Sequence, residues 1–431
     1  MKYFGTDGIR GIPNQKLSYE LLGSIGKALA GLGISNVIVG TDTRQSKDML
    51  AYALIAGALS QGLNVEYVEI IPTPGLIYLS KLKKSIGVMI TASHNPYFYN
   101  GIKIIKEGKK LTQEEEGQME YWIDNPSISS SKNIGVYSSA KHLLKEYHKQ
   151  LFQYIYPTNM KIALDCANGA TYKTAPLIFN LITNSLVVIH HHPNGCNINE
   201  GCGSTHLGSL SKTVIEEKCD LGFAFDGDGD RILCVDKNGI PVDGDLLIYI
   251  FSCYLKEKSL LKNNSVALSI MSNLGITQAL RKKGIEVIET PVGDKYIVEA
   301  INNYDLSIGG ENSGHIIFPE YTSTGDGILI AMKLIQILEE THTPLEDWLQ
   351  DVVLYPDVLE NVVVQNKKNV MGIPLQKEIE TIKEELNYDC KIIVRPSGTE
   401  DFLRLSVMAK TKELVDKYKI KLLQLIQTLD V

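Results

Sequence analysis

Long apolar runs are missing from this chain: none approaches the roughly 18 residues that a membrane span needs. A signal-peptide pattern is missing too, because Met1-Lys2 leads straight into Tyr3-Phe4-Gly5-Thr6-Asp7-Gly8-Ile9-Arg10. A cytoplasmic protein is therefore expected. There is no basic excess, since 43 Lys and Arg stand against 50 Asp and Glu, a formal net charge of -7. Phosphate-backbone binders normally carry the opposite balance, so neither nucleic acid nor a membrane surface is an expected partner. An anionic substrate must then be held by local positive charge. Seven cysteines, an odd number, offer no disulfide framework and read as reduced thiols. One dense segment holds His190, His191, His192, Cys196, Cys202 and His206. Its cysteine spacing does not match structural zinc sites, and Asn194-Gly195 and Asn197-Ile198-Asn199 read as turns. No Pro/Gly/Ser-rich linker or low-complexity tract divides the 431 residues, so the domains are expected to pack around a shared cleft.

What is present is one pattern used three times. Val37-Ile38-Val39, a loop at Gly40-Thr41-Asp42-Thr43-Arg44, a helix from about Ser46 to Gln61 and a strand from Val65 to Ile70 precede the buried run Ile86-Gly87-Val88-Met89-Ile90. The small residues Ala56-Gly57-Ala58 would let that helix pack closely on a sheet. The order recurs from Ile162-Ala163-Leu164, with a helix beginning near Thr171, to Leu221-Gly222-Phe223-Ala224-Phe225. It recurs again from Val266 to Ile270, through a helix over 275–283, to Leu306-Ser307-Ile308. The last segment differs: strands at Asn361-Val362-Val363-Val364, 391–394 and 402–408 alternate with helices over 375–386 and 412–429. The expected fold is α/β, with three similar α/β domains of mixed sheets plus a C-terminal α+β domain around a central cleft. The expected boundaries are 1–152, 153–252, 253–354 and 355–431.

Each unit ends on a polar loop. Thr91-Ala92-Ser93-His94-Asn95-Pro96 places a serine hydroxyl at the carboxyl end of a strand, where open α/β sheets bind ligands, so Ser93 is a candidate nucleophile. Ser, His and Asn also build plain turns and caps, and the loop alone does not separate the two readings. Asp226, Asp228 and Asp230 alternate with glycines, which lets the backbone fold so that three carboxylates face one hard cation. A calcium EF-hand would need Gly and Glu where Arg231 and Lys237 stand, so Mg²⁺ is the expected ion. Glu311, Ser313 and His315 offer acceptors and donors suited to sugar hydroxyls. Arg395-Pro396-Ser397-Gly398-Thr399-Glu400 supplies a guanidinium fork, hydroxyls and backbone N–H groups, a phosphate cradle or a tight hairpin.

Together these loops carry a resemblance. The chain resembles the α-D-phosphohexomutase family along essentially its whole length, through Thr91-Ala-Ser-His-Asn-Pro, Asp226-Gly-Asp-Gly-Asp-Arg, Gly310-Glu-Asn-Ser-Gly-His and Arg395-Pro-Ser-Gly-Thr-Glu. Tyr3-Phe-Gly-Thr-Asp-Gly-Ile-Arg-Gly, Asp165-Cys-Ala-Asn-Gly-Ala-Thr-Tyr, Asn197-Ile-Asn with Cys202-Gly-Ser-Thr-His, and Val292-Gly-Asp are similar to its amino-sugar branch. Thr41 stands where an arginine is usual, Tyr99 where an acid is frequent, Asn312 where Gln is commoner and Lys295 where Arg is commoner. The resemblance implies that glucosamine 6-phosphate and glucosamine 1-phosphate are interconverted, a step toward UDP-N-acetylglucosamine for the cell wall. Phosphorylated Ser93 would be the catalytic group and glucosamine 1,6-bisphosphate the intermediate and priming phosphate donor. It further implies Mg²⁺ on Ser93, Asp226, Asp228 and Asp230; catalytic roles for Arg10 and His94; and Lys103 as general base, its pKa lowered by a neighbouring cation such as Arg10. Substrate binding would fall to Glu311, Asn312, Ser313, His315 and Lys295, and to Arg395, Ser397, Gly398, Thr399 and Arg404. The expected partner is a sugar phosphate, and the expected state a monomer or homodimer. The rival activities are phosphomannomutase or phosphoglucomutase, a Mg²⁺-dependent sugar phosphatase, and a non-enzymatic sugar-phosphate binder.

Overall fold

The computed structural model describes residues 2–5, 7–125, 133–396 and 402–430. They form two compact units, Met1–Met271 with Glu286–Leu349, and Ser272–Ile285 with Gln350–Val431. The first unit contains three mixed sheets. One is built from β1 (Ile9–Gly11), β2 (Asn36–Thr41), β3 (Asn64–Ile70), β4 (Ile86–Ile90), β5 (Asn100–Lys106), β6 (Lys109–Lys110) and β7 (Tyr137–Ser139), in the order β1-β5-β4-β2-β3-β7 with β6 on β5. The next holds β8 (Ile162–Asp165), β9 (Leu186–Ile189), β10 (Leu221–Phe225), β11 (Ile232–Asp236) and β12 (Pro241–Val242), in the order β12-β11-β10-β8-β9. The third holds β13 (Ser265–Ser269), β14 (Glu286–Thr290), β15 (Gly309–Gly310) and β16 (Ile316–Ile317), in the order β14-β13-β15-β16.

The recurrence read along the chain is a recurrence of topology. The series β5-β4-β2-β3, β11-β10-β8-β9 and β16-β15-β13-β14 are the same arrangement, with three parallel strands and an antiparallel fourth. In each, the polar loop joins the last parallel strand to its antiparallel neighbour. β4 and β10 are buried at every residue, which explains why they read as unbroken apolar runs rather than alternating ones.

Local expectations shift in three places. The third unit's strand falls on Gly309–Gly310, because the apolar Leu306 and Ile308 pack in the core beneath the chain's approach to the sheet. The helix expected near Thr171 spans Thr174–Phe179, after a run of turns. Gly57 in the helix Lys47–Leu59 does permit close packing, but against a helix: a Cβ there would lie 2.1 Å from the carbonyl oxygen of Gly23 in the helix Tyr19–Ala28.

In the second unit β17 (Asp357–Val363), β18 (Cys390–Pro396) and β19 (Phe402–Ala409) form an antiparallel sheet in the order β17-β19-β18. The helices Ile373–Glu385 and Lys412–Leu429 cover it through Leu375, Ile379, Leu422 and Ile426. The helix Leu274–Lys282 belongs to this unit, tied by mutual hydrogen bonds between Asn273 and Tyr355 and by Gln278 on Asp389.

Candidate active site

Ser93 follows β4 in a left-handed backbone conformation, φ 52°, and is 1% exposed. For a non-glycine residue this costs about 1–3 kcal/mol, and such strain persists only where surrounding contacts impose it. Those contacts are present. Ser93 N donates to Thr91 Oγ1 (2.9 Å), which donates to Asp42 Oδ2 (2.7 Å). Asp42 Oδ2 also accepts from Arg44 Nε at 2.8 Å, and both charged side chains are fully buried. The Arg44 guanidinium donates from Nη2 to the carbonyls of Ser93 (2.9 Å) and Asn95 (2.7 Å), and from Nη1 to those of Pro96 and Tyr99 (3.0 Å). From the neighbouring domain, Asn199 Nδ2 donates to the same Ser93 and Asn95 oxygens, at 2.9 and 3.1 Å. Arg44, Asn199 and Thr91 thus hold the loop from beneath.

Above it lie the aspartates. Ser93 Oγ donates to Asp226 Oδ2 at 2.6 Å. Asp226, Asp228 and Asp230 are buried, each with an oxygen within 4.8 Å of the others'. Burial first, then Asp228 and Asp230, push the Asp226 carboxyl well above the usual range. Burial also works against Asp230, but Lys103 and His315 hold it well below. Asp228 Oδ1 and Asp230 Oδ1 are buried with no hydrogen-bond partner among the described residues, an expensive arrangement unless something binds them. An all-carboxylate set with two orphaned oxygens fits a hard divalent cation.

Lys103 Nζ lies 2.9 Å from Asp228 Oδ2, 3.1 Å from Asp230 Oδ2 and 3.1 Å from Asp7 Oδ2. Burial opposes its charge and Arg10 acts in the same sense, but the three carboxylates prevail and hold it well above the usual lysine value. The expected lowering by Arg10 is met in sign and outweighed in size. Arg10 is itself ion-paired with Asp7 at 2.6 Å. His94 Nδ1 sits 3.4 Å from Ser93 Oγ, and burial, then Arg231 and Arg10, push its pKa down to about 4.

The sugar loop is brought to the same place, with roles redistributed. Glu311 is buried and its Oε1 accepts from Gly293 N (3.0 Å), which joins the loop to the Val292-Gly-Asp turn. Asn312 is exposed, and Ser313 Oγ is buried without a hydrogen-bond partner among the described residues. His315 is 3% exposed, lies 3.6 Å from Asp230 and 3.7 Å from Asp294, and accepts from Gly325 N, so it faces the carboxylates behind the loop. Lys295 Nζ lies over the Tyr296 ring, 4.9 Å from its centroid, beside a cavity of about 590 Å³ that Asp7, Lys103 and Asp230 also line. In the second unit Arg395 and Arg404 are paired across β18 and β19. Ser397, Gly398 and Thr399 lie outside the described residues.

Four residues not singled out as site groups from sequence belong here. Asp7 and Asn199 stand inside branch motifs, a usable signal; Arg44 stands in a loop that carried no chemistry. Thr73, whose Oγ1 donates to Asp228 Oδ2 at 2.7 Å, lay in a stretch read only as a turn.

Four domains described as those of phosphoglucomutase/phosphomannomutase match the chain: alpha/beta/alpha domain I at residues 1–127, domain II at 140–239, domain III at 243–355, and the C-terminal domain at 359–424. The chain belongs to the phosphoglucomutase/phosphomannomutase family. It is 41% identical over 442 residues to the phosphoglucosamine mutase of Bacillus subtilis, covering 99% of this chain and 98% of that one. It is 42% identical over 432 residues to that of Bacillus pumilus, covering 97% and 96%. Among solved structures, a phosphoglucomutase/phosphomannomutase family protein from Burkholderia thailandensis superposes with a TM-score of 0.82 at 21% identity, covering 98% and 96% of the two chains. The N-acetylphosphoglucosamine mutase of Aspergillus fumigatus, solved with GlcNAc-6P and magnesium, gives 0.70 at 15%, covering 100% and 96%. At these identities the two structures speak for the fold of this phosphohexomutase.

Proposed function

We propose that this phosphohexomutase interconverts glucosamine 6-phosphate and glucosamine 1-phosphate through a phosphorylated Ser93 and a glucosamine 1,6-bisphosphate intermediate. It thereby supplies a precursor of UDP-N-acetylglucosamine in the cytoplasm. Full-length identity to phosphoglucosamine mutases supports the substrate. The observation that carries the chemistry is the buried, left-handed Ser93 with Oγ 2.6 Å from a three-carboxylate cluster. The Ser–phosphate P–O bond breaks as a new P–O bond forms to the free sugar hydroxyl, whose proton ends on Ser93 Oγ, so that the serine is restored as a hydroxyl. After the bisphosphate turns over, its other phosphate returns to Ser93 by the reverse step. A Mg²⁺ ion held by Asp226, Asp228 and Asp230 would supply charge stabilisation for the phosphoryl oxygens.

The protein's own groups do the rest. Arg44 and Asn199 fix Ser93 so that its Oγ faces the carboxylates. His94, held neutral at pH 7, contacts Ser93 without adding charge. Lys103 enters as an ammonium that neutralises the carboxylates and attracts the phosphoryl group; the base role that the resemblance implies requires that carboxylate charge to be neutralised first. Arg10 adds positive charge beside His94. Glu311, Asn312, Ser313 and Lys295 are assigned to the sugar, and Arg395, Arg404 and the 397–399 loop to the phosphate that is not reacting. Full-length identity to phosphoglucosamine mutases favours transfer to a sugar over the phosphatase reading. A coupled assay on glucosamine, glucose and mannose phosphates tests the proposal: glucosamine phosphate should have the highest kcat/KM, and equal or better turnover of mannose 1-phosphate would reassign the substrate.

A further inference from the structure

Outside the phosphoryl-transfer residues, a second group of ligand-type side chains meets. Asp165 is the last residue of β8, and His190 immediately follows the end of β9. These strands pair in parallel with Asp165 opposite Ile189, so the two side chains leave the sheet at the same edge. Cys202 reaches them from the loop before the short helix Gly203–Thr205. A carboxylate oxygen, a ring nitrogen and a sulfur of these residues lie within 4.8 Å of one another. Asp165 and Cys202 are 0% exposed, while the His190 side chain is 29% exposed and leaves an entry path.

His190 Nδ1 is the ring nitrogen that faces Asp165. It is buried and faces the cluster, with Asp165 Oδ2 at 3.1 Å, a contact that raises the imidazole's pKa, and with no hydrogen bond to any other described group. Asp165 is already oriented from behind: Oδ1 accepts from Ala167 N and Oδ2 from Gly203 N, each at 2.9 Å. Backbone donors of this kind are the usual outer support of a metal-ligating carboxylate.

We propose that Asp165, His190 and Cys202 form a second cation site, for a zinc-class divalent ion, separate from the Asp226 cluster. One O, one N and one S donor are the wrong set for Mg²⁺, which wants oxygen only, and the right set for a borderline-soft ion with a fourth position left to water. Ligand atoms on a tetrahedral zinc stand about 3.3 to 3.8 Å apart, so side-chain movements of about 1 Å complete the site. Binding releases the Cys202 thiol proton to solvent. His191, His192, Cys196 and His206, the rest of the His- and Cys-dense segment, stay out of the cluster. The missing ligand was Asp165, 25 residues earlier. The ion would staple the 165–168 loop to the 199–203 loop, whose Asn199 holds the carbonyl of Ser93, so it would stiffen the support of the nucleophile without touching substrate.

The full-length protein, stripped with a chelator and dialysed into excess Mg²⁺ so that the Asp226 cluster is filled, should take up one Zn²⁺ per chain by isothermal titration and elemental analysis. Co²⁺ should give the visible bands of a tetrahedral site and a near-ultraviolet thiolate charge-transfer band. Cys202→Ser should abolish that band, and His190→Asn should weaken Zn²⁺ binding at least tenfold, while Asp226→Asn leaves both signals in place. His190→Asn keeps a residue type that tolerates the left-handed backbone at position 190 (φ 47°), so it remains informative if the buried cysteine variant misfolds. Absence of a thiolate band, a band that survives Cys202→Ser, or Zn²⁺ uptake lost only in Asp226→Asn would each overturn the proposal.

Discussion

Arg44 should control catalysis without touching substrate. Its five guanidinium N–H groups are all engaged, one on Asp42 and four on the carbonyls of Ser93, Asn95, Pro96 and Tyr99, and the side chain is fully buried. Lysine keeps the charge but has three donors, so Arg44→Lys loses at least two charge-assisted hydrogen bonds; because Asp42, Ser93, Asn95 and Pro96 each keep a second donor, in Thr91, Asn199, Asn199 and Tyr99 N, the cost is about 1–3 kcal/mol in all. A protein of ordinary stability survives that loss. Arg44→Met is harsher, because it leaves the buried Asp42 unpaired at about 3–5 kcal/mol. The catalytic effect comes through Ser93. Holding its left-handed backbone costs about 1–3 kcal/mol, which the grip on its carbonyl offsets; once released, the residue relaxes toward negative φ and Oγ moves away from Asp226. A displacement of about 1 Å at a reacting atom can cost about a hundredfold in rate. Arg44→Lys should therefore lower kcat about a hundredfold and leave KM within a few-fold, with Ser93 phosphorylation by bisphosphate, read by intact mass, slowed in parallel. Asn199→Ala, which removes the grip from the other side, should show a smaller fall of the same kind. A folded Arg44→Lys with kcat within threefold of wild type would refute the argument. Ser93→Ala serves as control: if that variant keeps activity, it is the nucleophile assignment that fails, whatever Arg44 does.

Ser93→Ala should lose activity by several orders of magnitude while remaining folded, and a tenth of wild-type turnover would sink the covalent route. Asp228→Asn should raise the Mg²⁺ concentration needed for half activity, since it removes one carboxylate charge from the cluster; an unchanged titration would mean that these aspartates hold no catalytic cation. His94 titrates near 4 in the folded, unphosphorylated chain against an ordinary 6.5, so the unfolded chain takes the proton first. Its contribution, about 3 kcal/mol, is complete above pH 6.5 and is lost as pH falls toward 4. Urea unfolding across that window should lose less stability in His94→Gln than in wild type, and parallel pH profiles would contradict the assignment.

The loops that do the chemistry were legible because each is local. Asp226, Asp228 and Asp230 are neighbours in sequence, and their glycine spacing already implies convergence; Ser93 ends a recognisable buried strand. The supports were not, because they come from far along the chain: Arg44 lies 49 residues before Ser93, Asn199 lies 106 after it, and Thr73 lies 155 before Asp228. No period or motif encodes such a contact. Charge balance was equally hidden. Lys103 and Arg10 read as a pair of cations, one lowering the other, and only the fold places Asp7, Asp228 and Asp230 around Lys103 to reverse the outcome. The third unit's strand was misplaced because two glycines carry the pairing while the apolar signal lies just before them.

The repeated topology also explains how three loops from three domains can act on one group. In each unit the loop is a hairpin connection, closed by ladder pairs at Ile90 with Ile102, Phe225 with Ile232 and Gly310 with Ile316. A hairpin is anchored at both ends, so its backbone can serve as a docking surface. Two glycines mark where the docking occurs. A Cβ on Gly227 would lie 2.5 Å from the Ser93 carbonyl oxygen, and one on Gly314 would lie 2.0 Å from that of Ile232. The first contact sets the aspartate loop directly on the nucleophile, and the second sets the sugar loop on the strand that leaves the aspartates. At both places backbone meets backbone directly, which limits how far the loops can shift. The 2.6 Å contact between Ser93 Oγ and Asp226 is therefore a consequence of domain packing as much as of the two residues themselves.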